Sequence, residues 1–264
     1  MSFRQAKTAK TGIRFSGELG RFALLALLVF MAGSLWAGET NAPCARAEAE
    51  FLAARAQLAA APENGTNAWR LGRTAFIWAD CATNDQQRAA IAEEAIRVCR
   101  AAVAREPKSA AHHYYLAQNL GQLAQTKSLG ALKLVREMEK VWLQAQALDE
   151  RLDFAGPDRS LGLLYLESPG WPTSIGNNAK ARAHLEHAIQ LEPDYPDNRL
   201  SLAEALAKWH KKGELGTQMS ALTELWPRAK ARFTGREWEA SWQDWETRLA
   251  ALKLKAKQPA SSNQ

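Results

Sequence analysis

Apolar residues recur every three or four positions along most of this chain, in stretches of eleven to twenty-two residues separated by polar breaks rich in Gly, Pro, Asn and Asp. That period marks one face of an α-helix. It predicts helices over 43–61, 66–82, 86–106, 110–125, 129–149, 157–167, 178–192, 197–210, 215–226 and 235–256. Every break is short except Ser168 to Asn177. Valine and isoleucine together number only eleven in 264 residues, while Ala, Leu, Gln, Glu, Arg and Lys crowd the sequence, so a large sheet is excluded and the fold class is all-α.

The helices repeat in phase. Pro107 ends a helix carrying Ala95, Cys99, Ala102 and Val103, and Pro193 ends another carrying Ala181, Leu185, Ala188, Ile189 and Leu191. Each proline is followed by a helix with Leu and Ala at matching offsets: Leu116, Ala117 and Leu120 in one, Leu202, Ala203 and Leu206 in the other. This spacing resembles the tetratricopeptide repeat of about 34 residues. Leu161, Gly162 and Tyr165 fall where that family places Leu, Gly and an aromatic on its first helix. The resemblance implies a superhelical array of antiparallel helix hairpins, with first helices near 66–82, 110–125, 157–167 and 197–210 and the C-terminal helix as a cap. Small residues let paired helices approach closely, and Leu and aromatic residues fill the space between neighbouring pairs.

A forty-residue stretch, Gly156 to Tyr195, is similar to the T component of tripartite ATP-independent periplasmic (TRAP) transporters. The motifs are Leu161-Gly162-Leu163-Leu164-Tyr165, Ser168-Pro169-Gly170, Ile175-Gly176-Asn177-Asn178 and the helix Lys180 to Ala188. Asn177 and Asn178 stand where Gly-Asp is usual, and Pro43 precedes Cys44 where a lipid anchor would need a small residue. The resemblance implies a periplasmic helical repeat protein that oligomerises and assists a solute-binding protein.

The formal charge of +6 falls mostly at the start, where Arg4, Lys7, Lys10, Arg14 and Arg21 stand against Glu18 alone. The remainder, near neutral, has no electrostatic footprint for nucleic acid. The basic leader runs into the uncharged stretch Phe22 to Ala37 and closes on small residues, which is the pattern of a secretory signal peptide over 1–37 with cleavage after Ala37. The expected organisation is therefore a leader, a repeat domain over 38–256 and a disordered tail over 257–264, in a periplasmic protein. The alternative is an uncut leader that anchors the chain in the inner membrane, its sole membrane contact.

Catalytic motifs are absent: no Gly-x-Ser-x-Gly, phosphate loop, Cys-x-x-Cys or His-Glu-x-x-His occurs. No enzyme activity and no cofactor are expected. His184 and His187, three apart on one helix, have a spacing that can hold a metal, but no carboxylate or third ligand converges with them in sequence, and they read as packing residues. His112 and His113, being adjacent, point to different faces of a helix.

What remains is binding. The repeat register places Trp69, Tyr114 and Arg159 on the side that lines a concave groove, with Arg73 and Gln118 one turn on, and Glu167, Glu204 and Lys208 facing the same way. Trp69 and Tyr115 occupy two of the slots where a clamp for a peptide C-terminus would need Lys and Asn, so the groove suits a protein segment or an amphipathic solute. The long loop adds about seven residues to an ordinary repeat. Its Trp171 has two readings: a plug folded back onto the helices, or a recognition element over the groove with Tyr165 beneath. Trp238, Trp242, Trp245, Leu249 and Leu252 form one apolar face of the last helix, which marks a cap or a contact between copies. Cys44 and Cys81 lie equidistant from the break at Pro62 to Gly65, so an antiparallel hairpin brings them together as a disulfide, and Cys99 stays a core thiol. These readings leave a non-enzymatic protein-binding scaffold, with a periplasmic solute-binding protein as the candidate partner.

Overall fold

The computed structural model describes residues 42–127 and 130–257. The expected leader over 1–37, and the tail apart from Lys257, lie outside the described residues. Within them the helices are α1 (Ala42–Ala60), α2 (Gly65–Ala79), α3 (Asp85–Arg105), α4 (Ala110–Gln125), α5 (Ala131–Leu148), α6 (Leu152–Glu167), α7 (Asn178–Leu191), α8 (Pro196–Lys208), α9 (Lys212–Arg232) and, after a single 3₁₀ turn at Arg236–Trp238, α10 (Glu239–Lys257).

Asparagine starts three of them. Asn64 accepts from the amides of Thr66 and Asn67, Asn84 from Gln87, and Asn177 from Lys180, each covering donors that the first turn leaves without a helical partner. Consecutive helices pack as antiparallel neighbours, while α2, α4, α6, α8 and α10 also touch in succession and form the inner layer of the array. At two places that layer depends on a missing side chain. A β-carbon on Gly72 would stand 2.6 Å from the sulfur of Cys99, and one on Gly162 would stand 2.6 Å from Leu185. The small residues of the repeat are thus where helices meet most closely. One continuous core runs from Ala92 to Leu252, and separate clusters about Phe51 and Phe76 seal the first hairpin.

Two elements depart from the expected pattern. Helix α9 does not end before Pro227 but continues to Arg232. Pro227 is exposed, so the carbonyl left without its amide partner faces water, while Leu222, Leu225 and Ala229 keep the inner face buried on both sides of it. Helix α6 opens on a turn of the opposite hand: Asp153, Phe154 and Ala155 have φ of 54°, 55° and 59°. Non-glycine residues rarely adopt this conformation, which costs roughly 1–2 kcal/mol each, and three in succession persist only where surrounding contacts fix them.

Cys44 and Cys81 are joined in a disulfide, with α-carbons 5.5 Å apart, and it ties the start of α1 to the end of α2. Cys99 is free and buried. Trp238, Trp245, Leu249 and Leu252 are buried and Trp242 is half-buried, so α10 covers the open end of the array by packing on α8 and α9. Among the described residues, no helix is long and apolar enough to cross a membrane.

Candidate binding site

The expected groove residues separate into two groups. Trp69 and Arg73 on α2, Glu167 on α6 and Glu204 on α8 are half-buried, and Lys208 and Trp171 are exposed. Tyr114, Gln118, Arg159 and Tyr165 are buried, which corrects their expected place on an open concave wall. The register assigns each to the inner face of its helix, but the next inner helix lies against that face. Trp69 stacks on Tyr115, with ring centroids 5.9 Å apart, and Gln118 donates to Ser160 across the α4–α6 contact.

Arg159 explains the left-handed turn. Its Nη1 donates to the carbonyl of Phe154 at 3.0 Å and to Asn198 Oδ1 at 2.8 Å, and Nη2 donates to the carbonyl of Asp153 at 3.3 Å. Its Nε lies 3.3 Å from Asp197, and its guanidinium lies over the ring of Tyr195. The reversed turn brings two carbonyls to one buried cation. Tyr114 donates to the Asp153 carboxylate at 2.7 Å, and the ring of Phe154 stacks on Tyr195 at 4.6 Å. Burial opposes the charge of Arg159, but Asp197, Tyr195, Tyr114 and Asp153 hold its pKa above the ordinary value. Arg159 therefore binds the structure together and is not available to a ligand.

Asp197 extends this network to the cap. Arg248 on α10 donates to Asp197 Oδ1 at 2.5 Å, to Ser201 at 3.2 Å and to both oxygens of Glu204. Glu204, expected to face a partner, is held by the chain's own last helix. Nothing local in the sequence marked Arg248, which stands 51 positions from Asp197.

On the other side of α6, Asp158 is fully buried. Gln146 on α5 donates to its Oδ1 at 2.7 Å, His184 Nδ1 lies 2.8 Å from the same oxygen, and His187 Nδ1 lies 3.1 Å from Oδ2. The carboxylate that the sequence did not bring to the two histidines is thus supplied by the neighbouring helix. Burial alone would raise the pKa of Asp158, but the hydrogen bonds from His184, Gln146 and His187 hold it below the ordinary carboxylate value. His184 also stacks on Tyr165, whose hydroxyl donates to Glu139 at 2.6 Å. Burial and that acceptor push the phenol pKa upward. Tyr165 is committed to this cluster and does not lie open beneath the loop.

The loop after α6 is held at both ends. Gly176 N donates to the Pro169 carbonyl at 2.8 Å, Asn177 N to that of Tyr165 at 3.0 Å, and the amides of Thr173 and Ser174 both donate to Gly170. Lys208 reaches across from α8 to Glu167 at 3.0 Å and to the Leu166 carbonyl at 3.3 Å, fixing the end of α6 where the loop departs. At the tip Trp171 is 88% exposed. The plug reading is therefore overturned, because the loop's own hydrogen bonds shape it without the indole returning to the core.

No protein-family model matches the chain, and no curated protein matches it. Among solved structures it is similar to TTC0263, a thermophilic tetratricopeptide repeat protein of Thermus thermophilus, over 80% of this chain and 92% of that one, with 21% identity and a TM-score of 0.60. It is also similar to MamA over 78% of this chain and 100% of that one, with 19% identity and a TM-score of 0.49. The likeness to TTC0263 shows the fold: an all-α array of tetratricopeptide-like hairpins.

Proposed function

We propose that this chain is a non-enzymatic scaffold that works outside the cytoplasm and holds a protein partner at the loop between α6 and α7. The observation that carries the reading is Trp171, 88% exposed at the tip of a loop tied down on either side. A large indole left in water forgoes roughly 1.5–3 kcal/mol of burial, and tryptophan is among the residues that contribute most when a protein interface closes over them. The loop is held in shape before binding, so little ordering entropy is lost when a partner covers it.

Export is supported by the leader pattern and by the Cys44–Cys81 bond, which suits an oxidising compartment. The finer reading, an accessory of TRAP-type uptake whose partner is a solute-binding protein, rests on the motifs between Gly156 and Tyr195. Retention of the leader would give the same scaffold tethered to the inner membrane.

The test places a photo-crosslinking amino acid at Thr173, exposed in the same loop as Trp171, in the full chain in intact cells. One dominant adduct is expected, absent when the probe is moved to Glu246 on α10, and its identity decides whether a solute-binding protein is the partner. No adduct at 173, or the same adducts from both positions, would overturn the proposal. The N-terminal residue of the protein in soluble and envelope fractions separates cleavage from anchoring.

A further inference from the structure

The Trp171 loop is too small to hold a partner by itself. A stable interface takes roughly 800 Å² from each side, and one indole supplies at most about 250 Å², so a protein that covers the loop also rests on what stands beside it. The loop leaves α6 next to α5: Tyr165 on one side of it donates to Glu139, and Lys180 on the other lies 3.9 Å from the same carboxylate. On the outward side of α5, Leu132, Arg136, Lys140 and Leu143 follow one another at helical steps of four, four and three, a single exposed stripe with Lys133 exposed alongside. The two leucines are 37% and 41% exposed. Among the described residues no side-chain hydrogen bond or ion pair engages Lys133, Arg136 or Lys140. The acids of α5 flank the stripe and are already engaged, Glu137 by Arg100 at 2.7 Å and Glu139 by Tyr165 at 2.6 Å.

Resting on the reading that a protein is held at Trp171, we propose that this partner extends onto the outward face of α5 with an acidic surface, its carboxylates meeting Lys133, Arg136 and Lys140 and its apolar atoms covering Leu132 and Leu143. Three cations that no acid of their own chain neutralises give this face a positive potential, and a surface of opposite sign is its complement. The leucines distinguish it from a merely solvated run of charge, because apolar area left in water is recovered only when something covers it. Around α5, at about 100° per residue, Leu132 and Leu143 lie toward Glu139 and so toward the loop, while Lys133 lies toward Glu137 and α3. The apolar contact thus adjoins Trp171, and the cations form its rim. Rim charges act chiefly on encounter: they speed association with a complementary partner and select against one of the wrong sign.

The test adds a second photo-crosslinking position at Gln144, exposed beside the stripe, in the full chain in intact cells. Gln144 should give the same adduct as Thr173. A variant carrying Lys133→Glu, Arg136→Glu and Lys140→Glu together should lose most of both adducts, and the crosslinked protein, once purified, should associate with it at least about tenfold more slowly while dissociation changes less. Raising NaCl from about 0.05 M to about 0.5 M should bring the parent's association rate toward that of the variant. Lys253→Glu with Lys255→Glu, at exposed positions of α10, controls for net charge and should change neither adduct. All five substituted positions are exposed, and circular dichroism verifies folding. If Thr173 keeps its adduct in the triple variant, or Gln144 captures a different protein, the acidic surface is overturned and the Trp171 reading stands. Flotation of the purified full chain with phosphatidylglycerol–phosphatidylethanolamine vesicles, abolished in the triple variant, would overturn it in favour of a membrane surface. No adduct from Thr173 would remove both readings.

Discussion

Arg248 and Glu204 meet in two parallel hydrogen bonds, Nε to Oε1 and Nη2 to Oε2, each 2.9 Å, so the last helix of the chain is fastened to the inner face of α8 by a forked ion pair. The same guanidinium reaches buried Asp197, which Arg159 approaches from the other side. Cap, fourth hairpin and the reversed turn of α6 thus share one charge network.

Removing Arg248 leaves Asp197 with one cation fewer in a buried setting. Arg248→Ala should lower unfolding free energy by roughly 3 kcal/mol, the low end for breaking a buried pair. Arg248→Lys should recover only part of this, because an ammonium cannot form the fork. Glu204→Gln, at a half-exposed site, should cost under about 1 kcal/mol. Urea unfolding of the three variants measures the order.

Deleting residues 235–264 removes α10 and uncovers Tyr195, Phe233 and the inner face of α8. With Trp238, Trp245 and Leu252 each contributing roughly 1.5–3 kcal/mol of burial, the truncated chain should aggregate or change its oligomeric state. Light scattering and sedimentation would reveal it, and a truncation as soluble and stable as the parent would count against the capping role.

Thiol titration of the unreduced, denatured protein should find one thiol per chain, Cys99, with Cys44 and Cys81 bonded. Reducing the bond frees a loop spanning 37 positions and should cost about 4 kcal/mol on the chain-entropy account.

Burial pushes the Cys99 thiol from its ordinary 9.0 up to about 12. The folded chain therefore keeps a proton that the unfolded chain gives up, and stability should fall as pH rises from near 9 toward about 12. Native Cys99 should resist alkylation at pH 8.5 and react at once on denaturation. Cys99→Ala should flatten the alkaline part of the stability curve.

Trp171→Ala should leave stability within about 0.5 kcal/mol of the parent, as for other exposed positions, and abolish crosslinking to the partner. A large loss of stability would restore the plug reading. Unchanged capture would leave the loop without a role in binding.

The helices and their order were legible in the residues alone. Periodicity is local, and Asn64, Asn84 and Asn177 mark starts through hydrogen bonds spanning two or three residues. The disulfide was legible too, because a hairpin relates 44 to 81 by counting from its turn. The end of α9 was not, since whether Pro227 stops a helix depends on which side its missing amide faces. Nor was the reversed turn at the start of α6, which exists because Arg159, Asn198 and Phe154 meet there. The register put Tyr114 and Arg159 on the side that lines a concave groove, but packing between hairpins decides whether such a face is open or covered by the next helix, and here both are buried. Arg159 with Asp197, Arg248 with Glu204, and Asp158 with His184 and His187 are separated by 26 to 44 positions and become neighbours only when hairpins stack. A charge reads the same in sequence whether it will be solvated or buried against a partner, so those pairings belonged to the fold.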